Sequence, residues 1–301
     1  MISRIFLLCL MVTIASRGFS ATPNDVDLTA LTIRAKATLH EVMEQEQTWI
    51  KIHAAEGLIV GGDGAEIRER FLKLVPTVDT RIYRVGIWRV LANTAPTPTD
   101  RAEYVKQVEA IFLNPKSTDR SQAIETLCKL HYHVTGPMLE LVREIGRDEK
   151  APLHLLALWS LCIASEPGAL ERLCVYLRST DAAQRTATAY ALRWLHEKDP
   201  TALRALADAA DAEAEGTSAY AYLLSAAFAL NADPARRPAW RGGLERVLAT
   251  GSMESRFEAC NGLATQVKLA DLPQYVPLLD GPGNDTRVGA AMTILYVRTH
   301  E

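Results

Sequence analysis

Aromatic residues make up only 7% of the 301 residues, and cysteine occurs five times. So few cysteines exclude a small disulfide-stapled scaffold. No long run of lysine and arginine occurs, and the formal net charge is -3, so nothing electrostatic points to nucleic acid or to an anionic membrane surface. Beyond the first residues no apolar run is long enough to cross a bilayer. No segment alternates polar and apolar residues for long enough to require strands. Nothing has the form of a nucleophile elbow or a zinc-protease helix. Gly61-Gly62-Asp63-Gly64 lacks the Lys-Ser/Thr that completes a phosphate loop. What remains is a chain with 48% apolar and 23% charged residues, enough for one large domain or an elongated array of small units.

The first 21 residues, MISRIFLLCLMVTIASRGFSA, place Arg4 before the apolar stretch Ile5 to Ala15 and finish on Ser20 and Ala21. That layout predicts a cleavable signal peptide over residues 1–21, although Arg17 is unusual there. The mature chain, residues 22–301, is then expected to be periplasmic or secreted, with no membrane insertion after cleavage. Cys9 leaves with the leader, and Cys128, Cys162, Cys174 and Cys260 remain. Asn284-Asp285-Thr286 is a glycosylation sequon, relevant only in a eukaryotic secretory pathway.

A repeat organises the rest. Leu58, Leu91, Leu127, Leu161, Leu192, Leu230, Leu263 and Leu295 recur at intervals of 31 to 38 residues. Four residues before each leucine alanine predominates, and three before stand Ala55, Trp88, Ile124, Leu158, Ala189, Ala227, Cys260 and Met292. Offsets of -4, -3 and 0 form one helical stripe, and its small residues allow helices to pack closely. Seven residues before the leucine, Lys51, Arg84, Arg120, Arg185 and Arg256 form a basic row. Asp79, Asp119, Asp181 and Asp285 are positioned to start the second helix of their units. A further amphipathic segment precedes each such helix, as in Tyr104 to Phe112 or Met138 to Ile145. The expected fold is therefore all-α, with about eight helix pairs.

The Asp-x-Arg starts (Asp79-Thr80-Arg81 and Asp285-Thr286-Arg287) and the Ala-x-x-x-Leu ends resemble HEAT-like repeats of the phycobilisome-lyase type. The resemblance spans about residues 25–300 and implies a right-handed α-α superhelix, a HEAT/ARM-like solenoid, with second helices lining the concave side. Unit one lacks the Asp-x-Arg start, and unit six has Leu223 at the basic position. A tetratricopeptide array has a similar period, but its Trp, Gly-Tyr and Pro positions do not recur. Stability in such an array is a sum of neighbour contacts, and an uncapped last helix leaves an apolar end for a partner or a second copy to cover.

On a concave face the offset -2 carries the functional candidates: Glu56, Arg89, Glu125, Trp159, Tyr190, Phe228, Asn261 and Thr293, with His53 and Glu258 among the companions at -5. Trp159, Tyr190 and Phe228 read either as an aromatic platform or as core. His53, Glu56, Arg89 and Glu125 are the only run able to supply acid–base groups. His131-Tyr132-His133 lacks the spacing of a zinc site and reads as a turn. Cys128 and Cys162, one residue after successive anchors, would lie on neighbouring helices about 8–10 Å apart, beyond disulfide reach. The expected function is a non-catalytic binding scaffold with a protein partner and neither metal nor cofactor. The alternative is an enzyme or accessory subunit of lyase or carbohydrate-active type.

Overall fold

A computed structural model describes residues 27–300, and the leader expected over residues 1–21 lies outside them. The described residues contain helices and no strand. In chain order the α-helices are α1 (Leu28–Gln45), α2 (Trp49–Val60), α3 (Gly64–Leu72), α4 (Arg84–Asn93) and α5 (Pro98–Leu113). Then come α6 (Arg120–Lys129), α7 (Gly136–Arg147), α8 (His154–Ile163), α9 (Ala169–Val175) and α10 (Ala182–Leu195). The last are α11 (Pro200–Ala212), α12 (Tyr220–Ala229), α13 (Arg237–Thr250), α14 (Met253–Ala264) and α15 (Asn284–His300). Short 3₁₀ turns at Leu269–Gln274 and Val276–Asp280 take the place of the first helix of the last pair.

The second helices form the inner layer, and their contacts run in one cycle. Helix α2 packs on α4, α4 on α6, and so on through α8, α10, α12 and α14 to α15, which packs back on α2 and α1. The array is thus closed: its first pair meets its last helix. Arg287 reaches Glu41 at 2.7 Å, Asn284 reaches Glu46 at 2.8 Å, and Arg34 pairs with Asp280 across the same seam. A Cβ on Gly57 of α2 would stand 2.8 Å from the Met292 side chain and 2.9 Å from that of Leu39, so glycine sets how closely α2, α15 and α1 approach. The apolar end expected to need a partner is covered by the chain's own first pair.

The leucine stripe is core. Leu58, Leu91, Leu127, Leu161, Leu192, Leu263 and Leu295 are all buried. Their register is marked by the helix ends, where a left-handed residue follows α2, α6, α8, α10 and α12: Gly62, His131, Ser165, His196 and Asn231. The next amide donates to a carbonyl five residues back, at Leu58, Leu127, Leu161, Leu192 and Ala227. This is the Schellman closure, which satisfies carbonyls that a helix end leaves open. It shows that the sixth anchor is Ala227 and not Leu230. The interval of 38 residues before Leu230 arose from choosing leucine over the structurally equivalent alanine.

Four of these five left-handed residues are not glycine, and such a conformation costs an L-residue about 1–2 kcal/mol. Ser165 is exposed. Ser165→Gly is therefore expected to stabilise the protein by about 0.5–1 kcal/mol after the entropy of glycine is subtracted, read from urea unfolding.

The basic row has a structural role. Arg120 donates to the Phe112 carbonyl at 2.8 Å, Arg185 to Ser179 at 2.8 Å, Arg256 to Ala249 at 3.0 Å and Arg287 to Leu279 at 3.0 Å; Lys51 does the same to Met43. Each cation caps the end of the outer element before it, where the carbonyls are unpaired and the helix dipole is negative. Arg120→Ala should cost about 1–2 kcal/mol in chemical denaturation, with Arg120→Lys recovering part of it. Arg84 departs from the row and instead bonds Asp119 at the start of α6, at 2.6 Å. Of the four aspartates expected at helix starts, Asp181 accepts the Ala183 amide at 2.9 Å. Asp119 gives its carboxylate to Arg84, Asp79 lies in the 3₁₀ turn Val75–Thr80, and Asp285 is inside α15.

Candidate functional site

Closure of the inner layer brings one face of every second helix towards a common centre. Polar contacts there join units that are far apart in sequence. Tyr190 of α10 donates to Glu125 of α6 at 3.0 Å, and Arg193 of α10 pairs with Glu258 of α14 at 3.1 Å, each across 65 residues. His53 of α2 lies against Phe257 of α14 with ring centroids 5.2 Å apart.

The cluster builds outward from these links. Glu56 accepts from Arg89 at 2.6 Å and faces the His53 Nδ1 at 3.0 Å, while Arg89 also donates to Thr126 at 3.1 Å. Glu125 pairs with Lys129 one turn along α6, at 2.8 Å. The Lys129 ammonium stands 5.2 Å from the centres of both the Tyr190 and Trp194 rings, and the Arg193 guanidinium 5.6 and 5.9 Å from the same two. Trp159 and Tyr222 each meet Tyr190 edge-on. Tyr190 is the hub.

Titration follows from burial and pairing. Burial pushes Glu56 up, but the charge of Arg89 and the hydrogen bond with His53 outweigh it and hold the carboxyl well below its ordinary value. Glu125 is lowered in the same way, burial being overcome by Lys129 and then Arg89. Glu258 goes the other way: burial dominates, and the Arg193 charge does not restore it. Burial also lowers Lys129, and Arg89 adds to the effect.

Six of the seven residues singled out from sequence meet here: His53, Glu56, Arg89, Glu125, Trp159 and Tyr190. Trp159 is a core ring, 1% exposed, and Tyr190 is half-buried. Phe228 does not join them. It is buried under the Arg237 guanidinium, 4.7 Å from its ring centre. The three aromatics therefore form no continuous platform. With the sixth anchor at Ala227, the equivalent inward positions of α12 are Ser225 and Tyr222, and Tyr222 supplies the ring. Lys129, Arg193, Trp194, Tyr222 and Glu258 were not singled out. Lys129 and Trp194 lie four residues after Glu125 and Tyr190, so following the inward stripe one further turn finds them.

Elsewhere His131 and His133 line a cleft of about 380 Å³ with Cys162, Glu166, Glu171 and Glu197. His131 stacks on His196 at 6.0 Å. Among the described residues no group of three or more His, Cys, Asp or Glu is arranged to hold a metal ion. Cys128, Cys162, Cys174 and Cys260 are free, as the register required of the first two, and burial pushes Cys162, Cys174 and Cys260 up to about 12, which leaves them poor nucleophiles. No described helix is long and apolar enough to cross a membrane.

The fold and its centre define a class: an all-helical array of packed helix pairs, closed end to end around a buried charge and aromatic cluster. No protein-family profile, no curated protein and no solved structure matches the chain.

Proposed function

We propose that this is an exported, non-catalytic binding module. In this reading the helix pairs form a right-handed HEAT-like superhelix that closes on itself, and the ligand is received at the centre. The observation that supports it is the cluster around Tyr190, where side chains of units one to five and seven converge and Glu56, Glu125, Tyr190 and Arg193 stay partly open to solvent. Closure favours a compact ligand, or the end of a chain inserted into the centre, over a polypeptide laid along an open concave groove. A protein partner would then approach the rim.

The test uses the mature chain, with thermal-shift and calorimetric titrations against defined amino acids, oligosaccharides, short peptides and small organic acids. Saturable binding that Tyr190→Phe and Glu125→Gln weaken supports the reading. Binding that neither variant alters moves the site elsewhere. Export is checked by N-terminal sequencing of the protein recovered from a secreting host, where the expected first residue is Thr22.

An enzyme of lyase or carbohydrate-active type is the second reading. It is favoured by the opposed shifts of Glu258 and Glu125, since an acid kept protonated near a base kept ionised is what general acid–base chemistry needs. Against it, each carboxyl is already engaged by an arginine or a lysine. Mass-spectrometric detection of a converted oligosaccharide, lost in Glu258→Gln, would select this reading.

A further inference from the structure

We infer that the ligand received at the centre is a small organic anion, a carboxylate carried on a ring or an apolar body. This rests on the central-binding reading and adds the chemistry of the ligand to it.

The first support is which polar atoms are left over. The acceptors of the cluster are used. Glu56 meets Arg89 with one oxygen and His53 with the other. Glu125 takes both Lys129 and Tyr190, and Glu258 takes Arg193, with Ser225 and Asn261 also bonding its carboxyl. The atoms left without a partner at these helices are donors: the Nη2 of Arg89, the Nε of Arg193 and the indole Nε1 of both Trp159 and Trp194. Arg89 and Trp159 are 3% and 1% exposed, so bulk water does not solvate them. A buried donor without an acceptor is costly, and an oxygen acceptor brought into the centre relieves it.

Charge and shape narrow the class. Arg89, Lys129 and Arg193 are three cations around Tyr190, and each attracts an anion in a setting poorly screened by water. Three carboxyls oppose them, but Glu258 is the weakest counter-charge because burial favours its neutral form. A neutral sugar or an ammonium group needs free acceptors, which the cluster has spent. The half-buried rings of Tyr190, Trp194 and Tyr222, about 6 Å from Tyr190 to each neighbour, offer flat apolar walls to the rest of the ligand. Isolated phosphate would satisfy the donors and leave those walls uncovered.

The experiment titrates the full mature chain with benzoate, benzamide, inorganic phosphate and maltotriose, following tryptophan fluorescence and checking by calorimetry. Benzoate is expected to saturate, with benzamide at least about tenfold weaker and phosphate weaker than benzoate. Arg193→Gln should weaken benzoate by about tenfold. Trp194→Phe, which keeps an aromatic ring and removes the free N–H, should weaken it several-fold with an unchanged circular dichroism spectrum. Benzamide binding as tightly as benzoate overturns the inference, as does benzoate binding that both variants leave intact. Phosphate binding tighter than benzoate also overturns it. If maltotriose binds, Trp194→Phe weakens it and benzoate does not bind, the centre is a ligand site but not for anions, so the inference falls while the central reading stands. If no probe binds into the tens of millimolar, the inference falls as well.

Discussion

Replacing Arg89 with alanine is expected to destabilise the protein by about 3–5 kcal/mol, as removal of one partner from a buried pair does. Arg89 is 3% exposed, bonds Glu56 at 2.6 Å and Thr126 at 3.1 Å, and lies over the Trp49 ring. Its loss leaves Glu56 with His53 as its one remaining close partner and removes a charge that also stabilises Glu125. The methionine pair Arg89→Met with Glu56→Met should recover much of the loss, because a packed apolar pair avoids the cost of desolvating two ions. Urea melts of the wild type, the single and the double variants measure this directly.

The pH dependence has a definite sign. In the wild type the Glu56 carboxyl titrates below its unfolded value of 4.5, so its contribution to stability is fully present above that value and is lost as the pH falls through the folded pKa. In Arg89→Ala the largest remaining influence is burial, which raises the carboxyl. The variant should therefore lose less stability on acidification from neutral pH to about pH 4 than the wild type does, or gain some. An equal loss in both would mean that the pair does not govern the acid limb.

Much of this centre was legible because a helix face has a period. Offsets of -2 and -5 from the anchor leucines found His53, Glu56, Arg89, Glu125, Trp159 and Tyr190, and the structure gathers all six. The failure at Phe228 has a local cause. The anchor was chosen by residue type, and in α12 the anchoring carbonyl belongs to Ala227, so Leu230 shifted the register by almost a full turn. The basic row was visible too, but its partners are backbone carbonyls, which no side-chain pattern reports. Closure was the least legible feature. It arises from small rotations accumulated over eight pairs, and its seam joins residues 246 apart, Arg287 with Glu41 and Arg34 with Asp280. Close helix approaches contribute to it: a Cβ on Gly262 would stand 2.8 Å from the Cα of Ser225, backbone that has no room to yield. None of these contacts has a signature within one repeat.

Closure also sets the second large effect. Deleting α15, residues 284–300, is expected to raise hydrogen exchange in α1 and α2 as strongly as in α14. Helix α15 packs on all three, and Ala290, Ala291, Ile294 and Leu295 are buried in those contacts. In an open array, stability propagates from neighbour to neighbour, so losing the last helix would loosen the helices next to it in the chain and leave the first pair protected. In the closed array the same deletion strips both ends at once. It also unseats His53 and Glu56, which stand on α2, and through Glu56 the Arg89 guanidinium. The unfolding transition should broaden as cooperativity is lost, and the fluorescence of Trp49, at the start of α2, should shift to the red before that of the middle of the chain. Retained protection of α1 and α2 would show that the seam contributes little. A full-length control with Gly57→Leu, which wedges α2 away from Met292 without removing any helix, separates loss of the seam from loss of mass. Both variants should show the same pattern, with α1, α2 and α15 opening first and α6 to α10 last.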